Sequence, residues 1–138
     1  MADVSDFNAN IIEEFRANAG KLGGGFEGAP MLLLHHRGAK SGTERINPLM
    51  YRPVGDTLVV FASKGGAPTN PDWYYNLLAH PETTVEVGTE TIPVVARVAD
   101  DAERAPIWEA HKRDNPGFAE YEAKTSRQIP VIILERAA

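Results

Sequence analysis

The chain has 138 residues, no cysteine and a formal net charge of −5. That length suits one domain able to bury its own core, and the missing thiols exclude disulfides, thiolate metal sites and cysteine nucleophiles. No apolar run approaches the ~18 residues a membrane span needs, and Met1 to Asp6 lacks the basic start of a signal peptide, so a soluble, cytoplasmic protein is expected.

Val4, Phe7, Ile11, Ile12, Phe15 and Ala19 recur at helical spacing, with Ser5 or Asp6 as the N-cap and Gly20 as the stop. Residues 1–25 read as this N-terminal helix and the start of a glycine-rich connector, Lys21 to Ala29, able to fold down over an occupied pocket. Strands then follow. Met31 to His36 is one, and Gly38 to Gly42 turns the chain into a second, Arg45 to Val54. In that second strand Pro48 and Pro53 imply bulges or an edge position. Gly55-Asp56 marks a hairpin into Thr57 to Ser63.

A helix from about Asp72 to His80 ends at Pro81, and Thr83 to Val87 pairs with Glu90 to Val98 about Gly88-Thr89. Asp100 and Glu103 form a capping box before a helix through Ile107, Trp108 and His111. Asn115-Pro116-Gly117 breaks it; a short helix, Phe118 to Lys124, and a last strand, Ile129 to Glu135, complete the chain. Six short strands, about four helices and no βαβ alternation point to a mainly β (α+β) fold. The expected form is one domain over residues 1–138: a six-stranded antiparallel barrel with flanking helices.

Charge is unevenly placed. Between residues 31 and 66, Arg37, Lys40, Arg45, Arg52 and Lys64 face only Glu44 and Asp56, a local surplus of three positive charges in an acidic chain. Nucleic-acid binding relies on a broad positive face and is not expected. Capture of a small anion is. The stretch Phe61 to Asn76 sharpens this reading. Ser63-Lys64-Gly65-Gly66 is a bend whose backbone N–H groups can face outward, and the helix that follows brings its positive end, Trp73 and Asn76 to the same place. A cation, N–H donors, a flat aromatic and an amide converging on one concavity suit a planar anionic cofactor, although Trp73 could equally be a packing residue.

Several alternatives fail on spacing. Gly38-Ala39-Lys40-Ser41 lacks the glycine before lysine and the following helix of a P-loop, yet its tip can still grip a phosphate or carboxylate. His35 and His36 alternate across a strand, so they cannot chelate one ion; His80 sits at a helix C-terminus, where the dipole favours an imidazolium, and His111 lacks an acidic or histidine partner at zinc spacing. No Gly-x-Ser-x-Gly elbow occurs. Tyr51, Tyr74, Tyr75 and Tyr121 are the phenols able to donate a proton near an apolar pocket.

Gly38 to Gly42 with Arg45, Asn47-Pro48-Leu49, Ala62 to Ala67, Asn70-Pro71, Trp73-Tyr74, Asn76-Leu77, Asn115-Pro116 and Ile129-Pro130 together resemble the deazaflavin-dependent nitroreductase family, from about Gly23 to Glu135. The resemblance implies a split β-barrel of the flavin-reductase-like type and coenzyme F420, with its deazaflavin ring, phosphate and oligoglutamate tail. It further implies hydride delivery to quinones, nitro compounds or enone lactones such as coumarins. By position, Lys40, Ser41 and Arg45 would hold the phosphate and tail, and Ser63, Lys64, Gly65 and Gly66 the phosphate and ring edge. Pro48, Met50, Trp73 and Asn76 would line the ring, and Tyr121 would face the substrate, with Tyr121 or solvent supplying the proton. Ala39 stands where the pattern usually has arginine, which either weakens tail binding or shifts it to Arg37. Phe118 replaces a substrate-pocket tyrosine, and Met50 an aromatic. FMN is the weaker cofactor alternative and a non-catalytic F420 carrier the rival role. The expected partners are the cofactor and a hydrophobic small-molecule acceptor, and the protein is expected as a monomer or homodimer.

Overall fold

A computed structural model describes residues 4–22, 30–64 and 69–137, with side chains from Ala9 onward in the first segment. Gly65 and Gly66 therefore lie outside the described residues. Helix α1 (Val4–Ala17) precedes strands β1 (Met31–Arg37), β2 (Glu44–Met50), β3 (Arg52–Val54) and β4 (Thr57–Phe61). Helix α2 (Asp72–Ala79), strands β5 (Glu82–Val87) and β6 (Glu90–Val98), helices α3 (Asp101–Asp114) and α4 (Gly117–Lys124), and strand β7 (Val131–Arg136) follow.

All seven strands form one antiparallel sheet in the order β2-β1-β5-β6-β7-β4-β3. The order carries its own proof of curvature. Laid flat at about 4.8 Å per strand, the outer strands would stand roughly 29 Å apart. Yet β2 and β3 are joined through Tyr51 alone, a gap of two Cα steps that spans about 7 Å at most. The sheet must therefore curl until its two edges nearly meet.

This corrects the expected strand count. The single strand Arg45 to Val54 is two strands, because at Tyr51 the chain leaves β1 for the far edge and pairs with β4 instead. Tyr51 N–H donates to the Pro30 carbonyl at 3.0 Å, pinning the crossover. Both Pro48 and Pro53 sit on the edge strands, where a missing N–H is tolerated.

Three apolar clusters explain the strand patterns. Leu32, Leu34, Leu58, Val60, Ile132 and Leu134 face the interior with Trp73 and Leu77 of α2. Their alternate neighbours are buried too: Leu33 and Met31 under α1, and Val59, Phe61, Val131 and Ile133 under Trp108 of α3. Strands covered on both faces need continuous apolar runs, and β1, β4 and β7 have them. Strand β6 has one wet face and alternates buried with exposed residues.

Local signals set the connections. Asp100 accepts from Glu103 N–H at 2.8 Å while the Glu103 side chain reaches back to Asp100 N–H, completing the capping box. Gly42, Gly55 and Gly88 adopt positive φ in the three hairpin turns. Gly20, at φ +88°, ends the N-terminal helical segment against the β5–β6 turn; a Cβ there would lie 2.8 Å from Gly88 Cα.

Candidate functional site

A cleft of about 1020 Å³ opens where α1, β2, the bend after β4, the start of α2 and α4 converge. Strand β2, an edge strand, supplies a continuous wall from Arg45 to Met50, with Arg45 exposed and Ile46 to Met50 half-buried. Helix α1 adds Ala9 and Ile12, the α2 start adds Pro71, Asp72 and Trp73, and α4 adds Phe118 and Tyr121. Ser63 and Lys64 complete it from the bend.

Arg45 of β2 and Lys64 of the bend after β4 thus line the same cavity. Neither has a carboxylate within ion-pair distance among the described residues. By contrast Arg52, counted in the same basic segment, is paired with Asp114 at 2.9 Å. Lys64 adopts φ +48°, a left-handed backbone unusual for a side-chain-bearing residue. Such strain persists where the surroundings enforce it, commonly at functional sites. Its ammonium reaches Thr69 Oγ1 at 3.3 Å.

The remaining expected residues separate into two groups. Pro48, Met50, Ser63, Trp73 and Tyr121 line the cleft. Trp73 is also buried in the main core cluster, so one indole both packs the core and lines the cleft. Lys40 and Ser41 occupy the exposed β1–β2 tip outside the lining. There the Ser41 hydroxyl accepts from Thr43 N–H at 3.2 Å. Gly38 leaves room for that hydroxyl, since a Cβ would fall 2.3 Å from it.

Asn76 differs from expectation. It does not line the cleft; its buried amide is spent inside the protein. Asn76 Oδ1 accepts from Ala39 N–H at 2.9 Å, which turns its amino group toward His36 Nδ1, also at 2.9 Å. That nitrogen must accept, so His36 carries its proton on Nε2 and donates to Asn47 Oδ1 at 2.6 Å. Burial is the main cause that holds the His36 imidazole below its ordinary range, opposed by the Asn47 bond and reinforced by Arg45. Neutral His36 thereby locks the β1–β2 hairpin to α2.

A second clasp seats α1. Arg16 makes two bonds to Glu86, at 3.1 and 2.7 Å, and His35 Nε2 meets the same carboxylate at 2.7 Å. The Arg16 bond is the leading cause that depresses the Glu86 carboxyl. Seated in this way, α1 presents Ala9 and Ile12 to the cleft.

Sequence reasoning missed Arg127. Its guanidinium donates to the Ala62 carbonyl at 3.1 Å, the Ser63 carbonyl at 2.9 Å and Asn70 Oδ1 at 2.7 Å. It also missed the aromatic backing of the cleft. His111 stacks on Phe61 with centroids 3.9 Å apart, and Phe118 packs edgewise on both His111 and Tyr121. No local pattern announces either arrangement; the only trace of Arg127 is an arginine in the polar stretch before Ile129.

The donor set fits the cofactor expected from the sequence. Two cations without described carboxylate partners suit phosphate and carboxylates, and the apolar walls of Pro48, Met50 and Trp73 suit a planar ring. The described residues contain no cluster of histidine and carboxylates able to hold a metal ion. Nor do they include a helix long and apolar enough to cross a membrane.

Comparison with known proteins agrees with that chemistry. The family model described as F420H(2)-dependent quinone reductase matches residues 9–136. The F420H(2)-dependent quinone reductase Rv1261c of Mycobacterium tuberculosis is 38% identical over 126 residues, covering 88% of this chain and 85% of the relative. A solved F420-H2 dependent reductase (FDR-A) is 40% identical with a TM-score of 0.70, covering 77% of this chain and 94% of its own. Another solved chain, described as a domain-swapped dimer, is 35% identical with a TM-score of 0.72, covering 96% and 100% respectively. The chain belongs to the F420H(2)-dependent quinone reductase family, which makes it an F420H2-dependent oxidoreductase.

Proposed function

We propose that this protein is a split β-barrel enzyme that binds coenzyme F420 in the described cleft and reduces quinones there. Enone lactones and nitro compounds would be further acceptors. The observation that carries this reading is the meeting of Arg45 and Lys64 with the apolar walls of β2 and α4 in one cavity. When bound, reduced F420 supplies a hydride; the protein's own part is to bind, orient and exclude water.

Arg45 and Lys64 would hold the phosphate and tail, with Lys40, Ser41 and Arg37 extending the grip along the exposed tip. Lys64's neighbours Gly65 and Gly66 would add backbone contacts to the phosphate and ring edge. Pro48, Met50 and Trp73 would flank the ring, with Asn76 acting from behind through His36. Phe118 and Tyr121 would face the acceptor, the Tyr121 phenol holding a proton for the reduced product. Phe118 and Met50 favour flat, apolar acceptors, because neither offers a hydrogen bond to a nitro group.

A binding titration with F420 and with FMN, followed by F420H2 oxidation with menadione, a coumarin lactone and a nitroimidazole, tests the reading. Micromolar F420 binding with turnover of menadione supports it. Tighter binding of FMN, or F420 binding with no turnover of any acceptor, overturns it in favour of a flavin enzyme or a carrier. Sedimentation of the same sample gives the oligomeric state.

A further inference from the structure

We propose that Arg127 is a positioning residue for anion capture, holding the Ala62 and Ser63 carbonyls from behind so that the Ser63 and Lys64 N–H groups face the cleft. The inference rests on the cofactor reading above and adds to it a residue outside the cleft lining.

The geometry is specific. In an extended strand consecutive carbonyls point to opposite sides. One guanidinium nevertheless takes both the Ala62 and Ser63 carbonyls, through Nη1 and Nη2. The two carbonyls therefore lie on one side, where strand β4 has just ended. Every described peptide bond is trans, so each N–H lies opposite the carbonyl of its own peptide plane. Ser63 N–H and Lys64 N–H are thus turned together away from Arg127. Neither has an acceptor among the described residues.

Two adjacent N–H groups on one side form a small anion-binding concavity, and a left-handed residue in the pair is the usual means of making one. Lys64 is that residue here. Nη1 also bonds Asn70 Oδ1, two residues before α2, so the same guanidinium fixes the bend relative to the helix start. A lysine would keep the charge but could not span two carbonyls and an amide with a rigid planar fork.

The test titrates the full-length chain and its Arg127→Lys and Arg127→Ala variants with oxidised F420, read by cofactor fluorescence. Thermal unfolding and F420H2–menadione kinetics accompany it. Both variants should bind F420 about tenfold to a hundredfold more weakly, the scale of losing one or two charge-assisted bonds. KM for F420H2 should rise in parallel, while kcat at saturation and KM for menadione stay within about twofold. Low millimolar guanidinium should restore much of the affinity of Arg127→Ala.

Because Arg127→Lys preserves charge, weakened binding by that variant separates orientation from simple attraction, and it decides the matter should Arg127→Ala fail to fold. An Arg127→Lys protein that binds F420 like the wild type overturns the inference, as does a loss that falls on kcat alone. A wild-type protein that does not bind F420 instead overturns the cofactor reading, and with it this one.

Discussion

His111 makes folding stability depend on pH in a window where few other groups titrate. Its ring is 1% exposed, stacked on Phe61, and its Nε2 has no hydrogen-bond partner among the described residues. Burial is the leading cause that pushes its pKa down to about 4, with the Arg52 charge adding to the lowering and Asp114 opposing it. The unfolded chain takes up a proton near pH 6.5, whereas the folded chain refuses it until about pH 4. Between those values the unfolded state binds more protons, so stability falls as pH falls. From pH 7 to pH 5 the loss from His111 alone is about 2 kcal/mol, approaching 3 below pH 4. His36 acts in the same direction. The depressed carboxylates Glu86, Glu103, Asp114 and Glu122 lose their contribution only below their unfolded values, at more acidic pH. Urea unfolding at pH 7, 6 and 5 measures the effect, and His111→Phe should shrink the pH 7-to-5 difference by about 2 kcal/mol. Equal differences in wild type and variant would refute the assignment.

Replacing Lys64 with alanine should weaken F420 binding by about 1–3 kcal/mol, the scale of a charged hydrogen bond; unchanged affinity in a fluorescence titration counts against the cradle. Asn76→Ala strips partners from His36 Nδ1 and Ala39 N–H. It should cost about 1–3 kcal/mol of stability in urea unfolding and raise KM for F420H2 more than KM for the quinone. Tyr121→Phe should lower kcat by about a hundredfold while F420 affinity holds, if the phenol supplies the proton; an unaltered kcat assigns that proton to water. Gly20→Ala combines positive φ with a Cβ 2.8 Å from Gly88 Cα. It should lower stability by about 2 kcal/mol by thermal unfolding, and a neutral effect would show that the α1 end can shift.

Features encoded within a few residues were legible. The capping box at Asp100 and the glycine turns at Gly42, Gly55 and Gly88 each follow from local chemistry. What was not legible depends on distant partners. Nothing near Tyr51 says that its two flanking strands pair with opposite edges of a sheet, so one strand was read where two exist. His36 was weighed only as a metal ligand, because its true partner Asn76 lies 40 residues away. The Arg127 fork closes contacts across 57 to 65 residues, and the Arg16–Glu86 clasp across 70. Asn76 was read as lining a ring, whereas its amide holds a histidine, a partner 40 residues away that no local pattern announces.

The one-residue passage at Tyr51 has a bearing on how permissive the enzyme can be. Because β2 cannot peel outward without dragging the opposite rim of the barrel along, the wall it contributes is stiff. Room for bulkier acceptors has to come from the helices that close the remaining sides, above all the short α4 that carries Phe118 and Tyr121. Relatives differing in acceptor preference should accordingly diverge along that helix while retaining an uninterrupted, tightly tethered β2.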